Sequence, residues 1–389
     1  MRVLATCLPG YGHFHPMVPF ARALQTAGHE VAFATERRFC ARVTAAGFRA
    51  FPAGIGPGKV LERALRLPDA VGPADTSRFG AQMFAAVAAP GKVPDLLAAV
   101  DDWQPELLVH DVTDFAGPVV AAVSGIPDVA HSLGPMFPIA LFRHAADLLT
   151  PLWPKWGVAP GGLFGEAYLD ICPPSLQSPD LLQVEATVHS LRPVPFDAVD
   201  EEFLPSWVEE LAPQPTVYVT LGTLDNDAPG VLEAAIQGLS GERVNVIVTV
   251  GPSRDPSELG PQPAHVHVER YVPQSLLLPH CDVVVAHGGS GTTVAALAHG
   301  LPLLLLPQGA NQFENAKRCA AIGAGIRLLP EEVSADTVRS SVRSLFDDPG
   351  YRDRAGEVAA EIEHMPSPED VSRRVLAAGG GQNGLGAGG

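Results

Sequence analysis

The first residues of this chain restrict its fold more than any other segment. Arg2–Leu8 is an apolar run of strand length, and Pro9-Gly10-Tyr11-Gly12 is a turn. His15–Thr26 then places Met17, Phe20, Ala21 and Leu24 at helical spacing, Gly28 stops it, and Val31–Thr35 is again strand-like. Strand, glycine turn, helix and strand form the βαβ unit of a parallel sheet buried on both faces. The plan recurs at Leu107–His110, Phe115–Ser124 and Ile126–Ala130. A second series opens at Thr216–Leu221 and continues through Val244–Val250, Val266–Val268, Asp282–Ala286 and Leu301–Leu306. Between the series, from about Pro135 to Ser206, the chain is rich in Pro, Gly and aromatics (Trp153, Trp156, Phe164, Tyr168) and reads as irregular structure with short helices. A charged, helix-prone segment follows at about Asp347–Glu363.

With 389 residues, one hydrophobic core is too few, and two domains are expected. The boundaries fall at 1–205, 206–378 and a glycine-rich tail, 379–389, whose low complexity predicts disorder. The composition, 46% hydrophobic and 18% charged, suits a well-packed globular chain. A formal net charge of −17 argues against nucleic acid, which needs a basic stripe. Five scattered cysteines without a Cys-x-x-Cys pair read as reduced thiols with no zinc site. No signal-like start and no uninterrupted apolar run of about 20 residues is visible, so a cytoplasmic chain with no membrane partner is expected.

In open α/β sheets, ligands bind beyond the carboxyl ends of the strands. Asp282–Ala286 runs straight into His287-Gly288-Gly289-Ser290-Gly291-Thr292-Thr293, where a helix begins. Glycines let an anion approach the backbone, Ser290 can cap, and the free N–H groups of Gly291, Thr292 and Thr293 suit a diphosphate. An ordinary capped turn stays open on these residues alone. After Leu301–Leu306 come Asn311 and Gln312, whose amides both donate and accept, as sugar hydroxyls require. Upstream, Tyr271-Val272-Pro273-Gln274 could meet a base and a ribose, although Tyr271 taken alone reads as packing. His13, at the end of the first strand, can take a hydroxyl proton near neutral pH. Asp111 closes the strand Leu107–His110. Asp114 reads as a helix N-cap, His110 as packing and His15 as structural. Asp225-Asn226-Asp227 is an Asp-x-Asp, but Ala228-Pro229 favour a helix cap over a metal site.

The run from Glu269 to Ala316, ERYVPQSLLLPHCDVVVAHGGSGTTVAALAHGLPLLLLPQGANQFENA, resembles the donor-binding signature of GT-B, family-1 glycosyltransferases of bacterial natural-product pathways. PGYGHFHPMVPFARAL, DICPPSLQ and LRPVPF are similar to the same group, and to the glycosyltransferases of enediyne antibiotic assembly. The resemblance implies an α/β, GT-B fold: two facing Rossmann-like doubly wound parallel-sheet domains with an interdomain cleft. The last helix is then expected to pack back on the N-terminal domain. It implies an inverting, metal-independent transfer of a sugar or deoxysugar from a TDP- or UDP-sugar, with no other cofactor. The acceptor would be a hydroxyl of a small hydrophobic aglycone. His13 would be the base and Asp111 its orienting acid, with Asp114 the competing assignment. Thr223, Tyr271, Val272, Gln274, His287, Gly289, Ser290, Gly291, Thr292, Asn311 and Gln312 would hold the donor. Met83, Phe84, Met136 and Phe137, with the region of Trp153 and Trp156, offer apolar surface for the acceptor.

Similar enzymes carry Asp-Gln where this chain has Asn311-Gln312, which leaves the donor's hydroxyl pattern open and raises a deoxysugar. Other readings are C-glycosylation of an aromatic acceptor, a sugar-nucleotide 2-epimerase, or a non-catalytic partner that activates another transferase. A nicotinamide dehydrogenase fits poorly, because the first turn lacks Gly-x-Gly-x-x-Gly. A homodimer is admitted, with no residue that argues for it.

Overall fold

The computed structural model describes residues 1–196, 203–222, 230–251 and 254–380. The chain divides into two compact units: Met1–Cys172 with Gln177–Arg192 and Met365–Gly389, and Pro173–Leu176 with Pro193–His364.

The first unit holds seven strands: β1 (Arg2–Thr6), β2 (Glu30–Thr35), β3 (Arg49–Pro52), β4 (Leu107–Asp111), β5 (Asp128–His131), β6 (Ala167–Asp170) and β7 (Thr187–Ser190). They form one sheet in the order β3-β2-β1-β4-β5-β6-β7, every pair parallel. Helices cover both faces, so β1 and β4 are buried along almost their whole length, as their largely apolar sequence requires. The strand order reverses between β1 and β4, and a crevice for ligand opens at the carboxyl ends of such a pair.

The segment expected to be irregular is more ordered than its composition suggests. It holds the helix Ile139–Leu149 and both β6 and β7. Four-residue strands near a sheet edge are too short to show a period. The helix expected at His15–Thr26 is a 3-10 turn, His15–Met17, followed by Val18–Thr26.

Thr76–Trp103 is helical throughout, with a π-helical stretch at Gln82–Ala88. By length and composition it could cross a membrane, but half of its most apolar stretch is buried, and Val93, Leu96 and Val100 join the core.

The second unit holds β8 (Thr216–Thr220), β9 (Asn245–Thr249), β10 (Val266–Glu269), β11 (Val283–Ala286), β12 (Leu303–Leu305) and β13 (Gly325–Arg327). Their order is β10-β9-β8-β11-β12-β13, again all parallel, with the reversal between β8 and β11. Its helices include Ser290–Ala298, Gln312–Ala321 and Pro349–His364. The helix Pro368–Gly380 belongs to the first unit and lies against Val18–Thr26.

Candidate active site

β1 and β4 are neighbours in register, so the turns that follow them meet. His13 sits in the short helix Tyr11–Phe14, and its Nδ1 lies 3.0 Å from Asp111 Oδ2. Asp111 is fully buried and four donors converge on it. Leu8 N–H and His13 reach Oδ2, while the backbone N–H and hydroxyl of Thr113 reach Oδ1. Burial alone would raise this carboxyl, but the adjacent His13 imidazole, with Thr113 and the Leu8 N–H, outweighs it. Asp111 is held well below the usual carboxylate range. With Nδ1 turned to an ionised acid, the other ring nitrogen is the one left to take a proton from a substrate.

Two expectations are corrected nearby. Asp114 is no N-cap, because the helix Ala116–Ser124 is capped by Phe115, which offers no side-chain bond. Asp114 is buried and pairs with Lys92, Nζ to Oδ2 2.5 Å. His110 is more than packing: its Nε2 lies 3.2 Å from Asp128 Oδ2. Burial would lower its pKa, yet that partner raises it above the ordinary value.

In the second unit, His287 follows β11 directly and its ring lies against Gly222, just after β8. A Cβ on Gly222 would stand 2.6 Å from His287 Cε1, and one on Gly289 would also collide with the ring. These positions need glycine because the imidazole fills the space of a side chain. Burial pushes His287 down to about 4, against the Thr220 carbonyl that accepts from its ring, so the imidazole is neutral near pH 7. Nδ1 is buried without a hydrogen-bond partner among the described residues.

Gly289 is the N-cap of the helix Ser290–Ala298, and Ser290 is its first residue. The expected Ser290 cap is therefore absent. Its hydroxyl oxygen instead accepts from Asn311 Nδ2 at 3.0 Å and Asn315 Nδ2 at 3.1 Å. Asn315 also donates to the Gly288 carbonyl at 2.9 Å, which ties the helix Gln312–Ala321 to the turn. Asn315 carries no sequence signal of its own except that it lies four residues beyond Asn311, the spacing that places two side chains on one helix face. Gln312 is buried, and its Oε1 accepts from the N–H groups of Gln308 and Gly309. Its carbonyl therefore braces the loop after β12.

Tyr271 is half exposed, whereas the Val272 side chain is buried. Gln274 Nε2 reaches Thr292 Oγ1 at 3.5 Å, so the β10 loop and the glycine turn adjoin. Gly291 is exposed and Thr292 half-buried at the start of the helix, but the Thr293 N–H, expected to be free, donates to the Gly289 carbonyl at 3.0 Å in the first helical turn. Thr223, Asp225 and Asp227 lie outside the described residues.

Of the apolar candidates, Phe84 stands edge-on to His13, ring centroids 6.4 Å apart, and Met83 packs with it around Leu8. Met136 is core. It is 2% exposed, and its sulfur accepts from Tyr168 Oη at 3.4 Å, so it offers no surface to a ligand. Phe137 and Trp156 are partly buried against the same core, and Trp153 lies within it. The DICPPSLQ segment explains itself here. Gln177 Nε2 grips Asp170, its Oε1 accepts from Met136 N–H, and Asp180 accepts from Ile139 N–H. The loop bearing Met136 and Phe137 is thereby fixed.

Comparison with known proteins agrees with this architecture. Residues 74–222 match the family "Erythromycin biosynthesis protein CIII-like, N-terminal domain", and residues 236–378 match the corresponding C-terminal domain. The L-demethylnoviosyl transferase of Streptomyces niveus is 33% identical over 384 residues, covering 97% of this chain and 98% of the relative. The elloramycin glycosyltransferase ElmGT of Streptomyces olivaceus is 33% identical over 396 residues, covering 98% of both chains. Among solved structures, the spinosyn rhamnosyltransferase SpnG complexed with thymidine diphosphate superposes with a TM-score of 0.82 at 28% identity, covering 97% of this chain and 100% of the other. SsfS6 of Streptomyces sp. SF2575, complexed with thymidine diphosphate, gives 0.80 at 28% identity, covering 97% and 99%. The chain belongs to the erythromycin CIII-like glycosyltransferases of antibiotic biosynthesis and has their GT-B fold.

Proposed function

We propose that this chain is an inverting, metal-independent glycosyltransferase that moves a hexose or deoxyhexose from a TDP- or UDP-sugar to a hydroxyl of a small apolar acceptor. The observation that carries the reading is the 3.0 Å contact between His13 Nδ1 and the buried, ionised Asp111. An acceptor hydroxyl has a high pKa and must lose its proton as it attacks. An imidazole oriented and stabilised by a carboxylate is suited to take it. The attacking oxygen then forms its bond to the anomeric carbon as the bond to the diphosphate breaks, with the new bond on the opposite face. Phe84, edge-on to His13, and Met83 beside it offer the acceptor an apolar wall.

In the second unit, the N–H groups at the start of Ser290–Ala298 would receive the departing diphosphate, where the helix dipole favours negative charge. Two amides donate to the Ser290 oxygen, which leaves its O–H to donate to a phosphate oxygen. Solved relatives are complexed with thymidine diphosphate and, for SpnG, with spinosyn aglycone, which supports the TDP-sugar and aglycone assignments. The test is product chemistry. Purified protein is incubated with TDP- and UDP-sugars and a panel of polyketide and aromatic aglycones. An O-glycoside whose anomeric configuration is opposite to the donor's, formed in excess chelator, is expected. A retained configuration, or isomerised sugar nucleotide without acceptor, would overturn the reading.

A further inference from the structure

Behind the base lies a second buried charge pair that proton transfer itself does not use. Lys92, on the helix Ala89–Trp103, is 3% exposed, and Asp114, on the turn after β4, is 1% exposed. Lys92 Nζ donates to Asp114 Oδ2 at 2.5 Å and to the Cys7 carbonyl at 2.8 Å. Thr6 Oγ1 adds a bond to Asp114 at 2.7 Å, and Asp114 N–H donates to the Asp111 carbonyl at 2.9 Å. The Cys7 carbonyl and the Leu8 N–H belong to one peptide group. That peptide therefore accepts from the Lys92 ammonium at one end and donates to Asp111 Oδ2 at the other, 2.9 Å away.

Charges can be counted around the base. Asp111 and Asp114 bring two negative charges and Lys92 one positive. Cys7 stays a thiol, since burial pushes its pKa up. His110 is paired with Asp128, and His131, buried near Asp111 and pushed down to about 4 by that burial, is neutral near pH 7. On the base's own turn the rings of Tyr11 and His15 meet edge to face, while Thr113 and Phe84 carry no charge. One negative charge remains uncompensated while His13 is neutral, and none once it is protonated. Removing either partner of a buried pair leaves an unbalanced charge in a poorly screened place.

We propose that Lys92 and Asp114 are positioning residues of the base. The ammonium cancels one of two buried carboxylates and fixes the Cys7–Leu8 peptide, so the charge of Asp111 is kept for the imidazolium that forms on His13. This rests on His13 being the base, and the two claims fail separately. An active His13→Ala variant sinks the base, whereas an inactive one leaves the role of Lys92 to the following titration.

The full chain, labelled at histidine, is titrated by NMR, with the His13 resonance assigned from a His13→Asn spectrum. Lys92→Gln keeps a donor for the Cys7 carbonyl but removes the charge, and should move the His13 midpoint up by about half to one pH unit. Asp114→Asn should move it down by a similar amount. The double variant, neutral as the native pair is, should return it to within ~0.2 of wild type. Midpoints that superimpose in Lys92→Gln and Asp114→Asn would show a purely structural pair and overturn the proposal. Should Asp114→Asn fail to fold, Lys92→Gln alone decides by the presence or absence of the upward shift.

Discussion

Thr113 donates twice to Asp111, its backbone N–H at 2.7 Å and its hydroxyl at 2.6 Å, both to Oδ1. Oδ2 is left to Leu8 N–H and His13, so each carboxylate oxygen has a fixed task. An asparagine at 111 cannot reproduce this, since its amide nitrogen must face one set of donors. Asp111→Asn is expected to lower kcat by about 10⁴-fold, as loss of a base-orienting carboxylate does elsewhere. Binding of thymidine diphosphate, followed by calorimetry, should stay within about threefold of wild type, because the diphosphate turn is untouched.

The glycine at 222 should be as demanding as a catalytic residue. Its φ is +81°, and a methyl group would enter the His287 ring. Gly222→Ala is expected to weaken thymidine diphosphate binding by at least ~10-fold, through displacement of the imidazole and of the turn behind it. Unchanged affinity would mean that His287 and its turn do not meet the diphosphate.

Asn315 is expected to matter through the turn it ties down. Replacing it with leucine leaves the Gly288 carbonyl without its amide donor, a cost of about 1–3 kcal/mol where the group is buried. Melting should show that loss, together with weaker nucleotide binding from a loosened Ser290. A variant as stable as wild type would contradict the network.

Asp170 gives a pH prediction with a definite sign. Burial pushes its carboxyl up to about 6, against Gln177 and the Cys172 N–H, which pull it down. A group whose folded value lies above its unfolded value contributes stability that is present at low pH and lost as pH rises through the folded value. Wild-type stability should therefore fall between about pH 4 and 6, by on the order of 3 kcal/mol for a shift of this size. Asp170→Asn should remove that decline. Parallel denaturation curves for the two proteins across the window would refute it.

Much of this was legible in the chain. β1, β2, β4 and β8 to β12 stand as apolar runs punctuated by Gly or Pro, and the strand-end rule brings forward His13, Asp111 and His287. β3 (RAFP), β6 (AYLD), β7 (TVHS) and β13 (GIR) are three or four residues long and carry no period. The helix Thr76–Trp103 is obscured by Gly80, Pro90, Gly91 and Pro94, which read as breaks but are tolerated within it. Lys92 and Asp114 are 22 positions apart, and only the packing of the helix Ala89–Trp103 against β1 and the helix after β4 brings them together. Ser290 does not cap its helix for a related reason. Its hydroxyl is claimed by amides from a helix that follows another strand.

His13 is the proposed base for the acceptor hydroxyl, through its contact with Asp111. The most direct measurement is single-turnover glycosyl transfer by His13→Ala, with thymidine diphosphate affinity measured on the same sample. Transfer should slow by about 10²- to 10⁴-fold while nucleotide affinity is unchanged. Transfer near the wild-type rate would show that His13 is not the base.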